Sequence, residues 1–155
     1  MGLAERMIRA AKLHVSLYEE VEADKNATGQ ALGVVLLTSL AAGIGGAGAS
    51  GALGLLGGIV FGVLSWALWA YMNYLLGAKV FPEPQTQADW GQLARTMGFA
   101  SSPRIITVLG VIPVPPLQGL VFLAAGVWMW IAMVIAVRQA LDYKSTWRAV
   151  GVTFL

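Results

Sequence analysis

Two long stretches of this chain carry neither a charged side chain nor a histidine, and they limit what it can fold into. Asn26–Ala78 has no Asp, Glu, Lys, Arg or His over 53 residues, and Ile105–Val137 has none over 33. Both are apolar. Both are interrupted near the middle, the first by Gly43–Gly54 and the second by Pro113, Pro115 and Pro116. A water-soluble helical core would need polar outer faces, and these stretches have none. Each therefore reads as a hairpin of two membrane-crossing helices, since a bilayer core takes roughly 20 apolar residues per helix. The expected fold is an all-α integral membrane protein of two transmembrane hairpins, with spans over about 28–44, 53–76, 99–113 and 117–137. The third span is short, because only Arg104–Ile112 separate Pro103 from Pro113. Phe99–Ser102 lengthen it if Arg104 snorkels to the interface. It is either a short, tilted crossing or a partly re-entrant one.

Every Lys and Arg lies outside the two stretches, in Met1–Lys25, Lys79–Arg104 and Arg138–Leu155. If the hairpins span a bilayer, these segments share a face. Basic residues accumulate on the cytoplasmic side, which predicts a cytoplasmic N-terminus. Charged residues make up 12% of the chain, about half the share of a soluble domain. A net charge of +2 is too small for a nucleic-acid surface. Without Cys, disulfides, thiolate catalysis and Cys-based metal sites are excluded. Met1–His14 is too polar for a signal-peptide core. Asn26-Ala27-Thr28 has the form of a glycosylation sequon, but it falls on the expected cytoplasmic side and is discounted.

Three regions follow. Residues 1–25 form a cytoplasmic or interfacial amphipathic helix, with Leu3, Met7, Ala10, Leu17, Tyr18 and Val21 on one face of a single helix from Leu3 to Val21. Residues 26–141 are the membrane bundle. Within them an interfacial helix is expected over 86–97, opened by Thr86–Asp89 as a capping box, with Trp90, Leu93, Ala94 and Met97 on one face. Residues 142–155 are a C-terminal tail or a truncated fifth span.

The candidate sites are surfaces rather than reaction centres. Gly54, Gly58 and Gly62 make two overlapping GxxxG steps, and Gly29 and Gly33 a third. Such strips let helices approach closely, either between the first two spans or between two copies. Trp66, Trp69, Tyr71, Tyr74, Arg104 and Arg138 are expected as interfacial anchors. Trp66, Trp128 and Trp130 lie deeper, where each indole N–H needs a partner. Tyr18, Glu19, Glu20, Glu22, Asp24 and Trp90 are the candidate contacts for a cytoplasmic partner, weighed against a solvated helix end. His14 is a lone imidazole, more often structural than catalytic. No nucleophile–base pair, phosphate loop or metal cluster is legible, so no cofactor and no enzyme activity are expected. Proton- and ion-coupled transport is disfavoured, because such transporters usually need ionisable groups at depth.

The order of these pieces resembles the Yip1 domain family of polytopic membrane proteins. The resemblance rests on Tyr18-Glu19-Glu20-Val21-Glu22-Ala23-Asp24 before the first span, Gly98-Phe99-Ala100-Ser101-Ser102-Pro103-Arg104 entering the third, and Trp128 in the fourth. Arg138-Gln139-Ala140-Leu141-Asp142 and Trp147-Arg148-Ala149-Val150 continue it. The resemblance implies a helical bundle, usually of five spans, and a non-enzymatic class. The Ala- and Gly-rich composition points to a prokaryotic-type member in a cytoplasmic membrane. The leading expectation is a membrane scaffold or adaptor, contacting lipids and other membrane proteins or its own copies, and no nucleic acid. The rivals are an accessory subunit of an energy-converting membrane complex and a permease or channel for a neutral solute.

Overall fold

The structure, a computed structural model, describes residues 1–46 and 51–155. Among these residues it is helical throughout, without a strand. Three helices are long and apolar enough to cross a membrane: Ala27–Gly46, Gly51–Val80 and Pro115–Ala140. Part of the expected Gly43–Gly54 turn lies outside the described residues. The flanking helices run on to Gly46 and from Gly51.

The single N-terminal helix expected from Leu3 to Val21 is two helices, α1 (Leu3–Ala11) and α2 (Val15–Ala23). The break is at Leu13, whose φ is 61°. The Leu13 amide donates to the Ala10 carbonyl and the His14 amide to that of Arg9, the paired closure that ends a helix at a left-handed residue. Glycine usually takes that position because a Cβ is strained there. Here the leucine side chain is packed against the core instead.

α3 (Ala27–Gly46) and α4 (Gly51–Tyr74) agree with the first two expected spans to within a few residues, and α4 continues through a π-helical turn, Leu75–Val80. α6 (Pro115–Ala140) agrees with the fourth. Pro115 and Pro116 open it, at positions where a missing amide loses no helical bond. It ends at Asp142, a second left-handed residue, with the Tyr143 amide donating to the Arg138 carbonyl. α7 (Thr146–Phe154) is capped by the Ser145 hydroxyl, and Phe154 stacks on Trp130 with ring centroids 4.7 Å apart.

The segment between α4 and α6 departs furthest from expectation. The helix foreseen over 86–97 is α5, Trp90–Ala100. Its capping box is Asp89 with Gln92, three residues later than Thr86–Asp89. The Thr86 hydroxyl instead accepts from the Glu83 amide in the preceding turn. All residues of α5 from Leu93 to Ala100 are buried in the protein. The Trp66 indole of α4 donates to the Ala94 carbonyl, that of Trp90 donates back to Ala67, and Gly98 abuts Ala31. α5 thus crosses from α4 to α3.

Where a third α-helical span was expected over 99–113, the chain forms a 3-10 helix, Ser102–Val111. Pro103 has no amide to donate, and the Ser102 and Thr107 hydroxyls donate to carbonyls three residues back, which favours the tighter winding. Ten residues at a rise of about 2.0 Å cover roughly 20 Å. Residues three apart eclipse in such a helix, which aligns Arg104, Thr107 and Gly110.

α3 and α4 are antiparallel, with Ser39 against Gly62 and Gly43 against Leu55. The 3-10 helix rises beside α3, ending with Thr107 and Gly110 on Gly45. α6 descends from Gln118, whose amide reaches the Gly45 carbonyl, to Tyr143, whose hydroxyl lies 2.9 Å from the Gly77 carbonyl. α2, the 81–89 loop and the 141–145 turn gather at one end, the base, while α1, tied to α2 through Arg6, lies along the bundle against Gly33, the 3-10 helix and Trp128. At the base Arg95 binds the end of α2, Gln85 binds the Asp142 carbonyl and the Lys144 amide binds Glu83.

Candidate functional site

The residues expected to meet a cytoplasmic partner mostly turn inward. Tyr18 is fully buried and its hydroxyl donates to the Ala10 carbonyl at 3.1 Å. That burial holds its pKa above the ordinary tyrosine value. Glu20 accepts from Arg9 at 2.8 Å and from Arg6 at 2.9 and 3.1 Å, and Asp24 accepts from Arg6 at 2.8 Å. The hydrogen bond from Arg9, and then Arg6, lowers the Glu20 pKa, and Arg6 lowers that of Asp24. Glu22 is half-buried and accepts from the Gln92 amide. Desolvation, and then the charge of Asp142, push its pKa up to about 7. Arg95, buried in α5, donates to the carbonyls of Val21 and Glu22, groups that a helix end leaves unbonded. The acidic run is therefore a joint between α1, α2, α3 and α5. Only Glu19 and Trp90 of the candidate partner residues face outward, Trp90 being 41% exposed.

The glycine strips differ from the actual close contacts. A Cβ on Gly29 or Gly58 would meet nothing within 4 Å, and one on Gly33 only Leu3, at 3.8 Å. Gly54 is exposed. Gly62 alone of the five abuts another helix, at Ser39. The close approaches to another backbone fall at Gly45, Gly98 and Gly110, which the GxxxG pattern missed. The one signal that could have found Gly110 is its three-residue spacing from Thr107 and Arg104.

The aromatic anchors are divided too. Tyr71 and Tyr74 neighbour each other at 6.3 Å, with the Lys79 ammonium 5.6 Å from the Tyr74 ring. Trp69 meets Trp130 edge-on at 6.1 Å. Trp66 is spent on Ala94, and Trp128 donates to the Ala11 carbonyl at 2.7 Å, closing the end of α1. Arg138 stays at the base, bound to the Tyr143 and Lys144 carbonyls. Arg104 is half-buried in the first turn of the 3-10 helix.

It lines a cavity of about 520 Å³ between α3, α4, α5, the 3-10 helix and α6. The α3 wall runs from Val35 to Gly43, the α4 wall from Gly58 to Trp69, and α6 contributes Met129, Trp130 and Met133. No described residue forms an ion pair with Arg104. No side-chain hydrogen bond of its guanidinium is present among them either. The arrangement is a cation in a mainly apolar hollow, which can hold an anion or water.

No curated protein and no solved structure matches the chain. The sequence model of the Yip1 domain matches residues 17–155. That range runs from within α2 through α7 and takes in the whole of the cavity wall, while Arg6 and Arg9 of the base joint precede it. The chain belongs to the Yip1 domain family of membrane proteins.

Proposed function

We propose that the chain is a multi-pass, non-enzymatic scaffold with four crossings: α3, α4, the 3-10 segment and α6. Its base, with the N-terminus, lies in the cytoplasm, in keeping with the positive charge gathered there. The working surface is the outer face of α4, and it receives a helix of another membrane protein or of a second copy. The observation that carries this is unequal cover. In the most apolar window of α3 39% of residues are buried and in that of α6 33%, whereas none is in that of α4. Leu56, Val60, Leu64 and Leu68 are all about 60% exposed, a stripe at helical spacing on the least covered membrane helix. In lipid, helices associate through fit and small residues rather than hydrophobicity, and Gly54 and Gly57 lie beside this stripe. Single cysteines at Leu56 and Leu64, oxidised in native membranes, are expected to form crosslinked adducts. Cysteines at Leu120 and Leu123 of α6, equally exposed, are expected to form none. Equal crosslinking from both helices, or none from α4, would reject the reading.

A further inference from the structure

The cavity holds a charge with nothing to balance it. A guanidinium does not lose its proton in a protein. A charged side chain within a membrane bundle is costly, and such residues pair with an opposite charge or face an aqueous hollow. Here no described carboxylate pairs with Arg104. Arg104 shares the cavity wall with Val35, Ser39 and Gly43 of α3. Ser39 and Ser65 also line the cavity, and neither hydroxyl is bonded to another described residue. The Thr38 and Ser101 hydroxyls on the wall donate to their own helices, and most of the remaining surface is apolar, with Trp66, Trp69, Trp130, Met129 and Met133. Gly58 and Phe61 are both cavity-lining and exposed on α4, so the hollow opens sideways toward hydrocarbon rather than through an end.

We infer that the cavity binds a single-chain acidic lipid, its carboxylate or phosphate on Arg104 and its chain leaving past Gly58 and Phe61 into the bilayer. A planar guanidinium pairs with either anion through two parallel hydrogen bonds. The Ser39 and Ser65 hydroxyls supply further donors. At about 30 Å³ per water-sized group, the cavity holds on the order of 17 non-hydrogen atoms, a head and one chain rather than a two-chain phospholipid. The aromatic and methionine wall is the apolar part of the site, and sulfur and ring edges adapt to a flexible chain.

The test uses the full chain in uncharged detergent and 9,10-dibromostearate, whose bromines quench nearby indoles. Trp66, Trp69 and Trp130 report from the wall. The acid is expected to quench saturably. Its methyl ester is expected to bind about tenfold more weakly or worse, and Arg104→Gln is expected to weaken the acid by a similar factor. Arg104→Lys keeps the charge and should retain part of the affinity. Gly58→Leu, whose added side chain meets open space, narrows the mouth with Arg104 intact and should also weaken binding. Equal affinity for acid and ester would overturn the inference, as would an Arg104→Gln protein that binds the acid normally. Displacement of the acid by an equal concentration of inorganic phosphate would reduce the site to one for small anions, and that also overturns it. If Arg104→Gln does not stay folded, an unchanged affinity in Gly58→Leu is decisive against it.

Discussion

α3 meets its two neighbours in different ways. Against the 3-10 helix it approaches backbone to backbone, with Gly45 on the Thr107 carbonyl and Gly110 on the Gly45 carbonyl. Against α4 it approaches through side chains, Gly43 on Leu55 and Gly62 on Ser39, and the two helices then diverge around the cavity. The glycines with the recognisable spacing are mainly on the open side. Those that close the bundle have no spacing motif of their own. A glycine pattern marks where a helix could come close, whereas the contact itself depends on what the opposite backbone presents.

The largest effect is expected at Gly45. A Cβ there runs into the Thr107 carbonyl, a backbone atom that cannot rotate away. Overpacking costs about 1–3 kcal/mol, sometimes more, and Gly45→Ala should fall at or beyond the top of that range in thermal unfolding in detergent. A wild-type Tm would mean the seam is looser than described. Gly98→Ala comes next. Its Cβ would lie 2.8 Å from that of Ala31, a contact a small helix shift can partly relieve, so a loss within about 1–3 kcal/mol is expected.

The base sharpens the comparison through pH. Arg6→Ala removes the cation of Asp24 and leaves Glu20 with Arg9 alone, and should lower Tm by a few degrees at neutral pH. That deficit should vanish in acid. The folded pKa values of Glu20 and Asp24 are depressed, so their contribution is present above the unfolded pKa and is lost as pH falls through the folded one. Glu22 runs the other way. It sits among Asp142, Arg95, Glu19 and Asp89, with a pKa raised from 4.5 to about 7. The folded chain therefore holds the extra proton between those values, and stability declines as pH rises across them. Glu22→Gln should remove that decline and raise Tm modestly above pH 7. A Tm profile unchanged by Glu22→Gln would count against its burial.

The three long helices were legible because a charge-free run of that length has few other fates. Their ends fell within a few residues of Gly46, Gly51 and Ala140. The break at Leu13 was not, since a left-handed residue without glycine leaves no mark in sequence. For α5 one apolar face, Trp90, Leu93, Ala94 and Met97, was legible, whereas the inward use of Arg95 on the carbonyls of α2 was not. The acidic run read as a surface for the same reason: Arg6 and Arg9 approach Glu20 from another helix, and composition cannot show that. Arg104 read as a snorkelling anchor, and composition could not show that it lines a cavity with Trp66, Trp69 and Met133.

The smallest expected effect is also the most direct test. Gly58 holds the centre of the most visible glycine motif, yet a side chain there meets open space. Thermal unfolding of Gly58→Leu beside Gly45→Ala, in the same detergent, compares the two sides of α3. Gly58→Leu is expected to unfold within a degree or two of the wild type, and Gly45→Ala many degrees below. A Gly58→Leu protein that loses as much stability as Gly45→Ala, or more, would contradict the account and place the tight seam on α4.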